Sequence, residues 1–298
     1  MSSPHLGGAA LGHASALLTV AVWGSTFMAS KVLLETVGPM EILIIRFAMG
    51  LVVLKIVRPR GIVGATPAQE LTLAAAGLCA PCLYYLLEIA ALTMTMASNV
   101  GTIISTAPFF TALFDRLLCR GPRLGWRALI GSALAICGVA LISSNGARMQ
   151  LSPLGDLLTL GAAVSWALYS LLARKIAAFG YDTIATTRRT FLYGLALMAP
   201  VTLWTGFHVD LSALAGPVPV AAMLYLGVGA SALGFVTWNV AVRSLGPVRA
   251  SAYIYLSPVI ALTSSALVLG EPLGGAAGLG TALILAGLLT FKWRRGGA

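Results

Sequence analysis

The chain has 298 residues, of which 58% are hydrophobic and only 9% charged, where a soluble domain carries about 25% charged residues. That leaves too little charge to cover a water-facing surface and excludes both a soluble enzyme and a disordered binder. The excess of 19 Lys and Arg over 9 Asp and Glu, a net charge of +10, falls between apolar segments and is not interleaved with aromatics, so it reads as a topology signal and not as a nucleic-acid surface.

Ten apolar stretches follow in chain order, over residues 14–34, 40–57, 70–94, 98–118, 124–144, 154–173, 182–205, 218–242, 247–269 and 274–291. Each is close to the ~20 residues that cross ~30 Å of hydrocarbon. The first has no Lys or Arg before it and is too long for the core of a signal peptide, so it reads as a membrane helix. None alternates polar and apolar residues as the ~10-residue strands of a membrane barrel must. The expected fold is therefore all-α, an integral membrane protein of ten transmembrane helices.

The basic residues test that count. With ten spans, the even-numbered connections and both termini share one side. That side carries Lys55, Arg58, Arg60, Arg116, Arg120, Arg123, Arg127, Arg174, Lys175, Arg243, Arg249, Lys292, Arg294 and Arg295. The other side has Arg148 and Lys31, while Arg46, Arg188 and Arg189 lie inside spans. Such a bias marks the cytoplasmic side. The expectation is a multi-pass protein of the cell's inner membrane with both termini cytoplasmic.

Four cysteines make no disulfide framework: Cys79 and Cys82 sit within the third span, and Cys119 and Cys137 stand alone. His5, His13 and His208 fall outside the apolar cores. No metal and no cofactor are expected, and the cysteines read as small apolar helix residues.

The chain also resembles itself. Trp23 matches Trp166 at an offset of 143, which also pairs Lys31 with Arg174 and Arg46 with Arg189. Gly77 with Gly227, Pro108 with Pro258 and Pro122 with Pro272 follow at 150, then Gly131 with Gly280 and Gly138 with Gly287 at 149. The collinear series defines two five-helix repeats, 1–150 and 151–298. Five is odd, so the second copy enters the membrane from the opposite side. Inverted repeats of this kind recur in secondary transporters, whose halves rock about a site at the bilayer midplane.

Particular residues then carry a family likeness. Trp23-Gly24-Ser25-Thr26-Phe27, Lys31, Gly38-Pro39 and Arg46 resemble the first helix pair of the drug/metabolite transporter superfamily, EamA type. The stretch 252–289, with Ser257-Pro258, Leu269-Gly270-Glu271-Pro272, Gly280 and Gly287, resembles that family's closing unit. Arg120-Gly121 stands where the first copy would carry the acid. Within the superfamily the chain is most similar to YddG-type aromatic amino acid exporters. The resemblance implies ten helices around a central cavity between the halves, with the fifth and tenth at the periphery.

Ionisable groups inside a membrane cost about 2.5–3.5 kcal/mol each on insertion scales, so each needs a reason. Glu88 is the one acid deep in an apolar run and shares a helix face with Tyr84 and Tyr85. It reads either as a cavity group that meets an ammonium or a proton, or as half of a buried pair with Arg46. Arg46, Arg189 and Lys31 are the candidate buried basic residues. They either draw in a carboxylate or anchor helix ends at the interface. Trp23, Trp166, Tyr169, Trp238 and Tyr253 offer aromatic surface for stacking and cation–π contact, or else pack between helices. Asn99 and Asn239 can orient polar groups or tie helices together. Pro81, Pro108, Pro200 and Pro258 should kink their helices, and Pro108 and Pro258 should do so symmetrically, as gates or as static bends.

Two short patterns are discounted. Gly227-Val228-Gly229 lies in a membrane span with no preceding strand, and no Gly-Lys pair exists to cradle a phosphate. Gly274-x-x-x-Gly278 reads as a small-residue motif for close helix contact. The expected function is secondary-type export, by alternating access, of amino acids, aromatic ones foremost, and related amphipathic metabolites. The partners are a small-molecule substrate and the lipid bilayer, without nucleic acid, in a monomer or weak homo-oligomer. A carrier of sugar phosphates or nucleotide sugars is the alternative within the superfamily. A membrane-embedded enzyme would need a deep His, a carboxylate pair or a metal cluster that the chain does not offer.

Overall fold

The computed structural model describes residues 4–92, 94, 97–121, 125–143, 152–208, 216–260, 263 and 275–290. Every regular element among them is helical: α1 (Pro4–Leu34), α2 (Pro39–Val57), α3 (Pro67–Ala91), α4 (Ala97–Ile104), α5 (Ala107–Leu118), α6 (Trp126–Ser143), α7 (Pro153–Ala177), α8 (Thr183–Thr205), α9 (Pro217–Leu245), α10 (Pro247–Ala252) and α11 (Gly275–Thr290). By length and composition alone, α3, α7 and α9 are each able to cross a membrane, and Trp126–Leu141 and Gly278–Thr290 are apolar but shorter.

The helix starts are written in the sequence. Proline opens α2, α3, α7, α9 and α10, where its missing N–H would have had no partner in any case. Thr66 and Gln69 form a capping box at the head of α3, and the Asp182 carboxylate accepts from the Ala185 amide at 3.0 Å at the head of α8. Gly246 turns α9 into α10 at φ 82°, a conformation that a side chain would strain, while its amide closes onto the Val242 carbonyl at 2.9 Å.

Two long helices are wound wide at their centres. Leu78–Tyr84 in α3 and Tyr225–Leu233 in α9 are π-helical. Shifted by the repeat offset of 150, the first lands on 228–234, over the second. Pro81, lacking an N–H, explains the first π turn; the second forms in a run containing Gly227 and Gly229 without a proline. Carbonyls freed in such turns are available to side chains.

Two of the expected proline kinks take a different form. Pro108 lies in the first turn of α5, after α4 has already ended at the Ser105–Thr106 turn, so it opens a helix and does not bend one. Pro258 follows a 3₁₀ turn at Tyr253–Leu256. The two interruptions are themselves related by the offset of 150. Pro81 and Pro200 do lie inside helices.

Close approaches fix how the helices run. A Cβ on Gly138 would lie 2.5 Å from the Gly280 carbonyl, and one on Gly287 would lie 2.6 Å from that of Gly131, so α6 and α11 pack antiparallel at backbone contact. Gly278, by contrast, meets nothing within 4 Å inside this chain, and Gly274 lies outside the described residues. Gly50 faces Ser231 and the Gly227 carbonyl, while Gly194 faces Pro81 and the Gly77 carbonyl. These contacts are reciprocal under an offset of 144 in the second span, which aligns Phe47 with Phe191 and Arg46 with Thr190 instead of Arg189.

Large apolar side chains such as Leu203, Trp204 and Ile56 face outward, and small polar ones are buried alongside an aromatic core. Buried Thr19, Thr111, Thr159 and Ser170 each return their hydroxyl to a carbonyl four residues back, which satisfies the donor inside its own helix. The distribution suits a surface wetted by lipid.

Candidate functional site

The middle of the bundle is a continuous aromatic cluster drawn from six helices. Trp23 of α1 packs against Trp166 at 5.0 Å between ring centroids, against Trp238 at 5.6 Å and against Phe235 at 5.7 Å. Tyr169 and Tyr84 pack on Trp166 at 5.3 and 5.2 Å. Phe47 packs on Tyr85 at 5.0 Å, as Phe191 does on Phe235 at 5.0 Å. Phe47 pairs with Phe191, and Tyr85 with Phe235, in the repeat registers, so these last two contacts mirror each other.

Two ionisable side chains, Arg46 and Glu88, reach this cluster. Arg46, 6% exposed, donates from Nε to Ser231 Oγ at 3.0 Å and holds its guanidinium 4.9 Å from the Tyr85 ring centre and 5.4 Å from that of Phe47. Glu88, one turn beyond Tyr84 in α3, is close enough to Tyr84 and Arg46 to interact with both electrostatically, without an ion pair to Arg46 inside 4 Å. The reading of Arg46 as an interface anchor is therefore corrected: its side chain turns inward, because α2 packs along the π stretch of α9 at that level. Arg189 is corrected the other way. Its side chain is 32% exposed and pairs with Glu70 at 3.3 Å, so it is not a buried cation.

A second polar relay adjoins the rings. Tyr169 donates to Asn239 Oδ1 at 2.9 Å, and Asn239 donates to Thr187 Oγ1 at 2.9 Å. A cavity of about 20 Å³ opens beside it, lined by Tyr169, Tyr181, Thr183, Thr186, Thr190 and Asn239 among others. That holds a water or so, not a solute. Tyr253 stands apart, with its hydroxyl 2.6 Å from His13 Nδ1 at the cluster's rim. The side chains of Asn99 and Lys31 lie outside the described residues.

The repeat-related indoles differ in one respect. Trp23 Nε1 donates to the Ala230 carbonyl at 3.0 Å. It reaches that π-turn oxygen because Gly234 has no side chain: a Cβ there would lie 2.5 Å from Nε1. Tyr84 occupies the position matching Gly234, and the buried Nε1 of Trp166 has no partner among the described residues, nor does that of Trp238. Trp23→Phe should thus destabilise the protein by about 1 kcal/mol more than Trp166→Phe, since only the first breaks a hydrogen bond. Thermal unfolding in detergent measures the difference.

Contacts at one end of the bundle join the two halves. Tyr181 donates to Gln69 Oε1 at 3.0 Å, Tyr193 donates to Glu70 Oε2 at 2.7 Å, Arg189 pairs with Glu70, Arg58 faces Asp182 at 3.8 Å, and Arg188 donates to the Arg58 and Pro59 carbonyls. Nearby, Asp115, almost fully buried, pairs with Arg174 at 2.6 Å. Sequence reading missed Asp115 because it lies among the charges closing its span. It also missed Phe47 and Phe191, for which an offset of 144 was the available signal, while Phe235 is the repeat partner of Tyr85. No group of three or more His, Cys, Asp and Glu able to hold a metal occurs among the described residues.

The sequence pattern of the EamA-like transporter family matches residues 10–144 and again 153–292. The chain belongs to the EamA-like transporter family. This EamA protein is 28% identical over 281 residues to an uncharacterized transporter of Archaeoglobus fulgidus, covering 93% of this chain and 95% of that one. It is 27% identical over 300 residues to an Escherichia coli protein named "probable amino-acid metabolite efflux pump", covering 94% and 95%. A Streptantibioticus cattleyicolor protein named "probable terminal-alkyne amino-acid exporter" is 28% identical over 281 residues, covering 93% and 92%. A solved crystal structure superposes with a TM-score of 0.78 at 21% identity, over 96% of this chain and 98% of that one; that likeness shows the fold alone. The EamA protein is accordingly a multi-pass membrane transporter of the drug/metabolite superfamily, built on two family repeats, and not an enzyme.

Proposed function

We propose that the chain is a secondary-type exporter of amino acids, aromatic ones foremost, and of related amphipathic metabolites. Its ten spans form two inverted repeats, 1–150 and 151–298, that alternate access to a shared centre. The observation that carries the reading is the aromatic cluster shared by both repeats around Arg46 and Glu88. A zwitterion brings a carboxylate for Arg46, an ammonium for Glu88 and, when aromatic, a ring for Trp166 and Trp238. Arg46 is the one buried cation among the described residues, and Glu88 lies within its electrostatic reach. A carrier of phosphorylated or nucleotide sugars would need more free positive charge than that. The names of the Escherichia coli and Streptantibioticus relatives agree with amino-acid cargo.

The inversion is supported by the reciprocal contacts of Gly138 with Gly280 and Gly287 with Gly131, which exchange under the repeat offset. The site is closed to solutes by its rings and, at one end, by the contacts around Glu70 and Tyr181. The loops there carry Lys55, Arg58, Arg60, Arg174 and Lys175, the basic side expected to face the cytoplasm of an inner membrane, with both termini. Opening that end requires breaking those contacts. In a background without the four native cysteines, Gln69→Cys with Tyr181→Cys joined by a thiol cross-linker should abolish efflux of labelled tryptophan from proteoliposomes, and cleaving the linker should restore it. Undiminished efflux from fully cross-linked protein would contradict alternating access.

A further inference from the structure

We propose that the groove between the end of α2 and the start of α8 binds the phosphate of an anionic membrane phospholipid. The groove encloses about 290 Å³, with Lys55, Arg188 and Arg189 on one part of its wall and Leu51, Ile62 and Leu192 on the other. Lys55 donates to the Pro59 carbonyl at 3.0 Å and Arg188 to the Arg58 and Pro59 carbonyls. Neither has an acidic partner among the described residues. Only Arg189 does, in Glu70. Three cations therefore line one groove, of which only Arg189 is offset by a carboxylate, and a diffuse positive field is left over at the mouth of an apolar slot.

The position decides what fills it. α2 ends at Val57 and α8 begins at Thr183, so the groove lies at the level where spans leave the hydrocarbon and lipid headgroups begin. Its neighbours Ile56 and Val57 are exposed apolar side chains, as is Leu192 in its own wall. A free phosphate would gain only from the charges, whereas a phospholipid also lays an acyl chain along Leu51 and Leu192. Basic pockets between spans at this depth are suited to anionic headgroups. The same arginines hold the connection 58–66 and Glu70, so a bound headgroup steadies the contacts that close this end of the bundle. The inference does not depend on the cargo.

The test uses the whole protein, delipidated in detergent, titrated with phosphatidylglycerol, phosphatidylcholine or inorganic phosphate, and followed by thermal stability and by native mass spectrometry of retained lipid. Phosphatidylglycerol should bind and stabilise, and phosphatidylcholine should not. Lys55→Gln with Arg188→Gln should weaken phosphatidylglycerol binding about thirty-fold, and Lys55→Gln alone, which leaves the carbonyl contacts of Arg188 intact, about five-fold. Arg60→Gln, an exposed cation on the same connection, should leave it unchanged. Equal binding of the two lipids, unaltered affinity in Lys55→Gln, or the same stabilisation by inorganic phosphate would each overturn the assignment.

Discussion

Arg46→Gln should cost about 3 kcal/mol of stability and abolish amino-acid transport, and adding Glu88→Gln should recover much of the stability without the transport. An ordinary polar contact between membrane helices is worth about 0.6 kcal/mol, whereas a carboxylate inside the bundle that loses the cation nearest to it moves toward the ~3–5 kcal/mol cost of a broken buried ion pair. Arg46 is buried among Phe47, Tyr85 and Ser231, and its charge is what steadies Glu88 one helix away. Removing the guanidinium strands the carboxylate; neutralising both leaves two amides in a site already lined by hydroxyls. Unfolding of both single variants and the double in detergent gives the coupling directly. Transport responds differently, because a zwitterionic cargo needs both charges. Additive single effects would mean that the two groups do not sense each other.

Gly77→Val should cost several kcal/mol, whereas Gly101→Ala should be neutral or stabilising by up to about 1 kcal/mol. A Cβ on Gly77 would lie 2.7 Å from the Thr190 carbonyl and 2.9 Å from the Gly194 amide, both backbone atoms of α8 that cannot rotate away. α3 and α8 would have to separate beside the aromatic cluster, which puts the variant among the overpacked cores. At Gly101 nothing lies within 4 Å, so alanine only gains helix propensity. Thermal unfolding compares the pair, and an indifferent Gly77→Val would refute the close approach.

What the sequence made legible was the all-helical fold, the family and the gathering of Trp23, Tyr84, Tyr85, Trp166, Tyr169 and Trp238 at one place. What it hid follows from the solvent. A span between lipid and protein is apolar all round, so periodicity cannot tell which face of α2 carries Arg46 inward. A proline in an apolar run reads as a kink, yet Pro108 opens a new helix, because the chain had already turned at Ser105. The π turn of α9 needed no proline and left no mark except its glycines. Pairing Arg46 with Arg189 followed identity of residue type; contact symmetry, through Phe47 with Phe191 and Gly50 with Gly194, sets the register one residue further on.

Counterflow tests the whole account most directly. Liposomes holding the protein and unlabelled tryptophan, diluted into a trace of labelled tryptophan, should accumulate label transiently above equilibrium, and Arg46→Gln liposomes should not. If folded wild-type protein gave no overshoot with tryptophan or any other amino acid, or if Arg46→Gln matched the wild type, the shared aromatic centre would not be the route of transport.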